Sequence, residues 1–382
     1  MPAWRQAGGA KIRLVSHHLR GDIPGTSRTL EAHVWGPEGA RPKVMIQAGL
    51  HADEMPGMIV AQHLMDRLDR AEDAQRITGE IWVVPVANPI GLGQWVAHKP
   101  QGRHEMESLE NFNRGFPDLA ALAGDRIEGQ LTESADENLR IIRKAFAEAL
   151  EDQPRPTDID DLRLTLLGWS HDADYVLDLH CDHEAILHFY ASPLRPADTA
   201  TLARAIGAEL VLEQEVSGGN AYDEAHTAPW SALRRRFGAT HPIPDGCFSA
   251  TVEYRGQGDV SDDLAAKDAA RLMVFLGAVG ALLGEPAPAF PEAPVRPLGA
   301  AAEAFAPQGG IVLWQVAPGD NVASGDLLAE ILDPVTRVRM PVQATTSGIV
   351  FRIELWRSCL RGQSLAHVAG QEILRTGHLL SD

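Results

Sequence analysis

Five prolines crowd the thirteen residues from Glu285 to Pro297. Proline fixes φ and lacks an N–H, so this run excludes helix and central strand and predicts an extended linker. It divides the 382-residue chain into residues 1–284, a linker at 285–297 and a C-terminal part at 298–382. Two domains are also what the length predicts, at roughly 100–200 residues each.

Before the linker, strand and helix patterns alternate. Lys43 to Gly49 reads as a short apolar strand, and Met55-Pro56-Gly57 opens an amphipathic helix running to Leu68. Strands are predicted at Glu80 to Val86, Tyr175 to His180, Ile186 to Tyr190, Val211 to Glu215 and Phe248 to Tyr254. Helices are predicted at Asp136 to Leu150, Thr201 to Leu210 and Leu264 to Leu283. This rhythm predicts an α/β fold with helices on both faces of one sheet. The segment from Ala185 to Tyr190 follows its predecessor too closely for a crossover helix. That pair is expected to be antiparallel, which makes the sheet mixed. After the linker, short strands alternate with turns such as Pro318-Gly319-Asp320 and Ser324-Gly325-Asp326, which predicts a small all-β barrel or sandwich.

The net charge of −18 repels phosphate backbones and gives no attraction to anionic lipid, so neither nucleic acid nor membrane is an expected partner. The residues from Met1 to Lys11 lack the apolar core of a secretory signal. The apolar stretch from Leu272 to Leu283 is too short to span a bilayer. Cys181, Cys247 and Cys359 cannot all pair, which suits a reducing compartment. The expectation is a soluble cytoplasmic protein with a small-molecule partner, and a homo-oligomer is left open.

Four segments carry candidate chemistry. In Gly49-Leu50-His51-Ala52-Asp53-Glu54, a histidine and a carboxylate three residues apart can converge on one ion. His180 ends an apolar strand, with Asp178 on the same face. One such strand end is commonly just a cap, but two in one sheet favour a shared metal. Glu253, inside the apolar run from Thr251 to Tyr254, is costly unless paired or used, as a salt-bridge partner or as a general base. Asn113 and Arg114, in a loop bounded by Gly115 and Pro117, can bind a carboxylate or simply face solvent. Arg103 carries the same two readings with a weaker signal.

Taken in order, Gly49-x-His51-Ala52-Asp53-Glu54, Asn88-Pro89-x-Gly91, Asn113-Arg114-x-Phe116-Pro117, Asp178-Leu179-His180 and Val252-Glu253 resemble the succinylglutamate desuccinylase/aspartoacylase family of zinc-carboxypeptidase-like enzymes. The similarity spans roughly residues 40–260, and the C-terminal part is similar to the family's second domain. The resemblance implies a zinc-exopeptidase-like fold and one Zn2+ per chain, held by His51, Glu54 and His180. It implies Glu253 as general acid/base, Arg103 as the group polarising the scissile carbonyl, and Asn113 with Arg114 as the substrate-carboxylate site. The implied reaction is hydrolysis of an N-acyl amino acid to a carboxylate and a free amine. Rival readings are a carboxypeptidase acting on short peptides, and an inactive binding module. The second would be expected to lose a ligand or the base, and all four positions are present.

The sequence departs from the family pattern in two places. Asn111 stands where an aspartate is usual, so weaker support for a metal-bound histidine is expected. The gap from Arg103 to Asn113 is also longer than usual. The C-terminal part resembles a biotinyl/lipoyl-type barrel, but no lysine follows Lys267, so it cannot carry either group. A structural or gating role is left. Tyr222, in the glycine-rich Ser217 to Tyr222 run, is read as a flexible-loop residue, and Cys181 as a core residue facing away from His180.

Overall fold

A computed structural model describes residues 3–7, 10–21, 24–377 and 379. Part of the N-terminal run read above for a signal (Met1, Pro2, Gly8 and Gly9) lies outside the described residues.

Ten strands form one mixed sheet, in the order Ala3–Ala7, Ala10–His18, Thr29–Trp35, Glu80–Val84, Lys43–Ala48, Tyr175–Asp182, Phe248–Gly256, Leu187–Ala191, Leu210–Glu213 and Val295–Pro297. The first three form an antiparallel meander. Glu80–Val84, Lys43–Ala48, Tyr175–Asp182 and Phe248–Gly256 run parallel. Lys43–Ala48 is buried along its whole length, as expected of a parallel strand covered on both faces. Helices Met55–Asp73, Pro196–Ile206 and Asp262–Ala278 cover one face. Leu119–Ile127, Ala135–Glu151, Asp158–Ser170 and Glu224–Phe237 cover the other.

Pro56 and Gly57 set the entry of the Met55–Asp73 helix. Proline suits the first helical turn. A Cβ on Gly57 would come within 2.6 Å of the Leu179 carbonyl, so glycine lets the helix start rest directly on the His180 strand. That contact fixes Glu54 above His180. The Asp262–Ala278 helix stops short of Leu283. Gly280, at φ +82, turns the chain back so that Leu282 pairs with Ile77.

One expectation, the pairing partner of Leu187–Ala191, is corrected. The strand Leu187–Ala191 runs antiparallel to Tyr175–Asp182 but is not its neighbour: it pairs with Phe248–Gly256, and Tyr175–Asp182 has parallel neighbours on both sides. The intervening Glu184–Ala185 leaves the main sheet and pairs with Arg352 and Ile353 of the C-terminal part. The proline run is tied to the main sheet along its length. Phe290 N–H donates to Arg204 O, Val211 N–H donates to Pro294 O, and Val295–Pro297 forms the sheet's last strand. An edge is where a strand tolerates proline.

Residues beyond the linker form two small antiparallel sheets around their own apolar cluster. One contains Ala301–Phe305, Ser364–Ala369, Gly348–Ile353 and Asn321–Val322. The other contains Arg339–Gln343, Leu327–Leu332, Gly310–Trp314 and Ser358–Cys359. A second apolar cluster, including Ile186, Leu210, Leu298 and Phe351, spans the junction with the large sheet. No described helix is long and apolar enough to cross a membrane.

Candidate metal centre

The parallel strands end at one edge, where open α/β sheets present their crevice. Lys43–Ala48 runs out into Gly49, whose φ of +70 makes the turn that carries His51. Glu54 N–H donates to His51 O, closing the turn. Glu54 occupies the N-cap position of the next helix, yet its side chain makes no capping bond. It reaches both histidines instead: Oε1 lies 3.0 Å from His51 Nδ1, and Oε2 lies 2.8 Å from His180 Nδ1. All three side chains are buried.

The far ring nitrogens decide how this triad is poised. His51 Nε2 donates to Asn111 Oδ1 at 2.8 Å, and His180 Nε2 donates to Asp178 Oδ2 at 2.8 Å. Nδ1 of each ring then faces a carboxylate oxygen; burial opposes a charge on His180, but Asp178 and Glu54 outweigh it and raise that ring well above its usual range, so a proton or a cation occupies the His180–Glu54 gap. Two acceptors face each other across these gaps unless a cation or proton lies between them. Arg103 Nη1 donates to His51 Nδ1 at 3.2 Å, which also treats that nitrogen as an acceptor. The three ligand atoms lie within 4.8 Å of one another. Two imidazoles and a carboxylate are a donor set for a first-row divalent ion, so the residues fit a metal. Burial opposes ionisation of Glu54, but His51 and His180 outweigh it and hold the carboxyl well below its usual range. Burial, then the Arg103 charge, lowers His51 to about 4.

Asn111 does support His51. Its Oδ1 also accepts from Asn113 N–H at 2.9 Å, which orients the amide. The carboxylate usual at this position is absent, but its hydrogen bond is not.

All seven candidate residues line one cavity of about 390 Å³. Glu253 sits beside His180 in register across the sheet. Burial, then Glu54 and Asp182, push its carboxyl well above the usual range, and its Oε2 is buried with no hydrogen-bond partner. Arg103 is half-exposed and also reaches Glu54 Oε1 at 3.5 Å. Its loop is held by Ala52 N–H donating to Gly102 O. A Cβ on Gly102 would sit 2.1 Å from Asp53 N, so only glycine allows this approach.

Asn113 and Arg114 also line the cavity, latched to the Ser217 to Tyr222 segment. Gly115 N–H and Phe116 N–H donate to Gly219 O and Asn220 O, and Tyr222 N–H donates to Asn113 Oδ1 at 2.8 Å. Arg114 lies across Gly219, where a Cβ would come within 2.5 Å of its Cδ. Tyr222 is therefore no flexible flap. It is fully buried, packed on Phe116 and His226. Cys181 is buried as a core residue would be, but its N–H donates to Glu54 Oε2 at 3.1 Å, so its backbone belongs to the site.

Sequence reasoning missed part of the wall. Asp223 and Glu224, at the start of the Glu224–Phe237 helix, line the cavity. So do Arg352 and His367 from the C-terminal part. The available signal for the first pair was two adjacent acids following a Gly-Gly-Asn loop.

The sequence matches the profile of the succinylglutamate desuccinylase/aspartoacylase catalytic domain over residues 40–272. Among curated proteins, none matches significantly. The structure is similar to a putative succinylglutamate desuccinylase/aspartoacylase family protein from Shewanella amazonensis, with a TM-score of 0.83, 23% identity, and coverage of 93% of this chain and 98% of that one. A putative family protein from Shewanella frigidimarina gives 0.84 at 23% identity, covering 94% and 98%. One from Rhodobacter sphaeroides gives 0.65 at 18%, covering 95% of each.

Proposed function

We propose, from the fact that this chain belongs to the succinylglutamate desuccinylase/aspartoacylase family, that it is a zinc-dependent deacylase hydrolysing a small N-acyl amino acid to a carboxylate and a free amine. The observation that carries the reading is the convergence of His51, Glu54 and His180 at one point of a cavity, with Glu253 beside them. A divalent ion there supplies a Lewis acid and lowers the pKa of water it binds.

The remaining work falls to the chain's own residues. Glu253 takes a proton from the attacking water and returns it to the leaving amine. Burial, then Glu54 and Asp182, raise its carboxyl well above the usual range, which suits a group that must hold a proton between the two transfers. Arg103, beside the triad, meets the charge that develops on the scissile carbonyl oxygen. Asn113 spends its amide oxygen on Tyr222, so its NH2 donors are what it offers a substrate carboxylate. With Arg114 it converts binding into orientation.

A peptidase would need an open cleft. Here Glu303, Arg352 and His367 wall one side, which supports small substrates over peptides. The three cysteines are free and buried, which supports a cytoplasmic setting. The test is a panel of N-acyl amino acids and short peptides, with elemental analysis of the purified protein. Bound zinc, and acyl-amino-acid hydrolysis lost to a chelator and restored by Zn2+, are expected. Peptide cleavage alone, or chelator-insensitive turnover, overturns the reading.

A further inference from the structure

Resting on that deacylase reading, we infer that the amino-acid half of the substrate carries a second, cationic amine, which binds Glu224 and Asp223 while its carboxylate binds Asn113 and Arg114.

The argument starts from an unmet hydrogen bond. Glu224 is buried in the cavity wall. Its Oε1 accepts from the N–H and hydroxyl of Ser217, while its Oε2 is buried without a donor. A buried carboxylate oxygen with no partner is costly, and an ammonium group brings three donors and the opposite charge. Asp223 adds a second carboxylate on the same wall. Burial, then Glu224 and Asp178, push it up to about 7, and Thr251 lines the same cavity. Thr251 lies two residues before Glu253 on the same strand face, so the acidic pair borders the reacting centre.

The pair is also fixed relative to the carboxylate site. The Ser217 to Tyr222 segment bonds to Asn113, Gly115 and Phe116 at one end and to Glu224 at the other. One short loop therefore holds a cationic and an anionic subsite side by side. That pattern matches a free amine and a carboxylate on one small molecule, with the second nitrogen acylated. A second metal ion is the other cation the pair could take. The His51–Glu54–His180 group is the one three-ligand cluster of His, Cys, Asp or Glu among the described residues, which favours the amine.

The test uses the zinc-loaded full chain with mono-acetylated diamino acids of graded side-chain length, acetylated at either nitrogen. The comparators are N-acetylnorleucine and N-acetylaspartate. A charge-assisted hydrogen bond predicts kcat/KM about 10- to 100-fold higher for the best diamino substrate than for the neutral comparator. Glu224→Gln should bring that ratio close to one, mainly through KM. Equal rates, or a preference for N-acetylaspartate, overturn the inference and leave the deacylase reading standing. A ratio unchanged in Glu224→Gln, or one equivalent of a second metal lost in that variant, overturns it too.

Glu224 also holds Ser217, so the variant could misplace the loop. Calorimetric titration of the unaltered chain with the free diamino acids and with norleucine therefore provides an independent measurement. Selective binding of a diamino acid without any amide hydrolysis would sink the deacylase reading and keep the cationic subsite. Absence of selective binding sinks the subsite.

Discussion

At their amino ends the strands Lys43–Ala48 and Tyr175–Asp182 begin among paired charges. At their carboxyl ends they stop near carboxyl groups that each leave one buried oxygen without a donor. Lys43 Nζ meets Asp172 Oδ1 at 2.5 Å, Arg41 Nη2 meets Asp172 Oδ2 at 2.9 Å, and Arg143 Nη2 meets Asp174 Oδ1 at 2.8 Å. Across the sheet, Glu253 Oε2, Asp53 Oδ1 and Glu224 Oε2 are all buried and unpartnered. The same strands thus separate two uses of charge. Pairing at one end contributes to stability, whereas the open valences at the other end are held ready for a ligand at a cost to the free protein.

If that division is right, substitutions at the two ends should move different observables. The largest effect is expected from Glu253→Gln, which keeps the shape and removes the proton acceptor. It should lower kcat by about 10²- to 10⁴-fold while zinc content stays unchanged. Burial already opposes the Glu253 charge, so the metal-free variant should melt no lower than the parent at pH 7. Normal turnover would remove Glu253 from the mechanism.

Asp178→Asn comes next. Asp178 orients His180 and is fully buried. Loss of a carboxylate behind a metal-bound histidine typically costs about 10–100-fold in metal affinity. Competition with a chromogenic chelator would read this directly. An unchanged affinity would show that Glu54 alone aligns the ring.

The amino end should answer in stability. Burial opposes ionisation of Asp172, but Lys43, His171 and Arg41 outweigh it and lower its carboxyl to about 2. A depressed carboxylate contributes stability that is present above about pH 4 and lost as the pH falls towards 2. Asp172→Asn should therefore cost about 2 kcal/mol at pH 7 and flatten the acid limb of the stability profile. Because Asp172 lies far from the cavity lining, kcat should not change. A kcat loss larger than the stability loss would break the contrast between the two ends.

The legible parts of this molecule were those written in contiguous residues. The Gly49 to Glu54 turn, the Asp178 to His180 strand end and the Val252-Glu253 pair each carry their own signal, and parallel strands bring them to one edge. The proline run also announced itself, although its last residues join the sheet. Less legible were elements defined by distant partners. The short step from Asp182 to Ile186 suggested a hairpin, but Glu184–Ala185 is claimed by the strand holding Arg352. Phe248–Gly256, more than sixty residues later, then takes the vacant position. The Asp158–Ser170 helix is buried on most of its surface and so shows little amphipathic period. Pro229 inside the Glu224–Phe237 helix hid that element, and with it the acidic pair at its start.

The smallest expected effect concerns how the C-terminal part is held. Arg357 forms an ion pair with Glu184 at 2.7 Å across the junction. Both side chains are about a third exposed or more, so solvent screens the pair. The junction also contains strand pairing of Arg352 and Ile353 with Glu184–Ala185, the bond from Ile186 N–H to Phe351 O, and the apolar contact of Ile186, Leu298 and Phe351. Apolar burial and backbone bonds of this kind outweigh one exposed ion pair. Arg357→Ala should therefore cost less than about 1 kcal/mol and leave protease resistance at residues 285–297 unchanged. If cleavage there rises sharply, the ion pair rather than the shared strand keeps the barrel wall against the cavity.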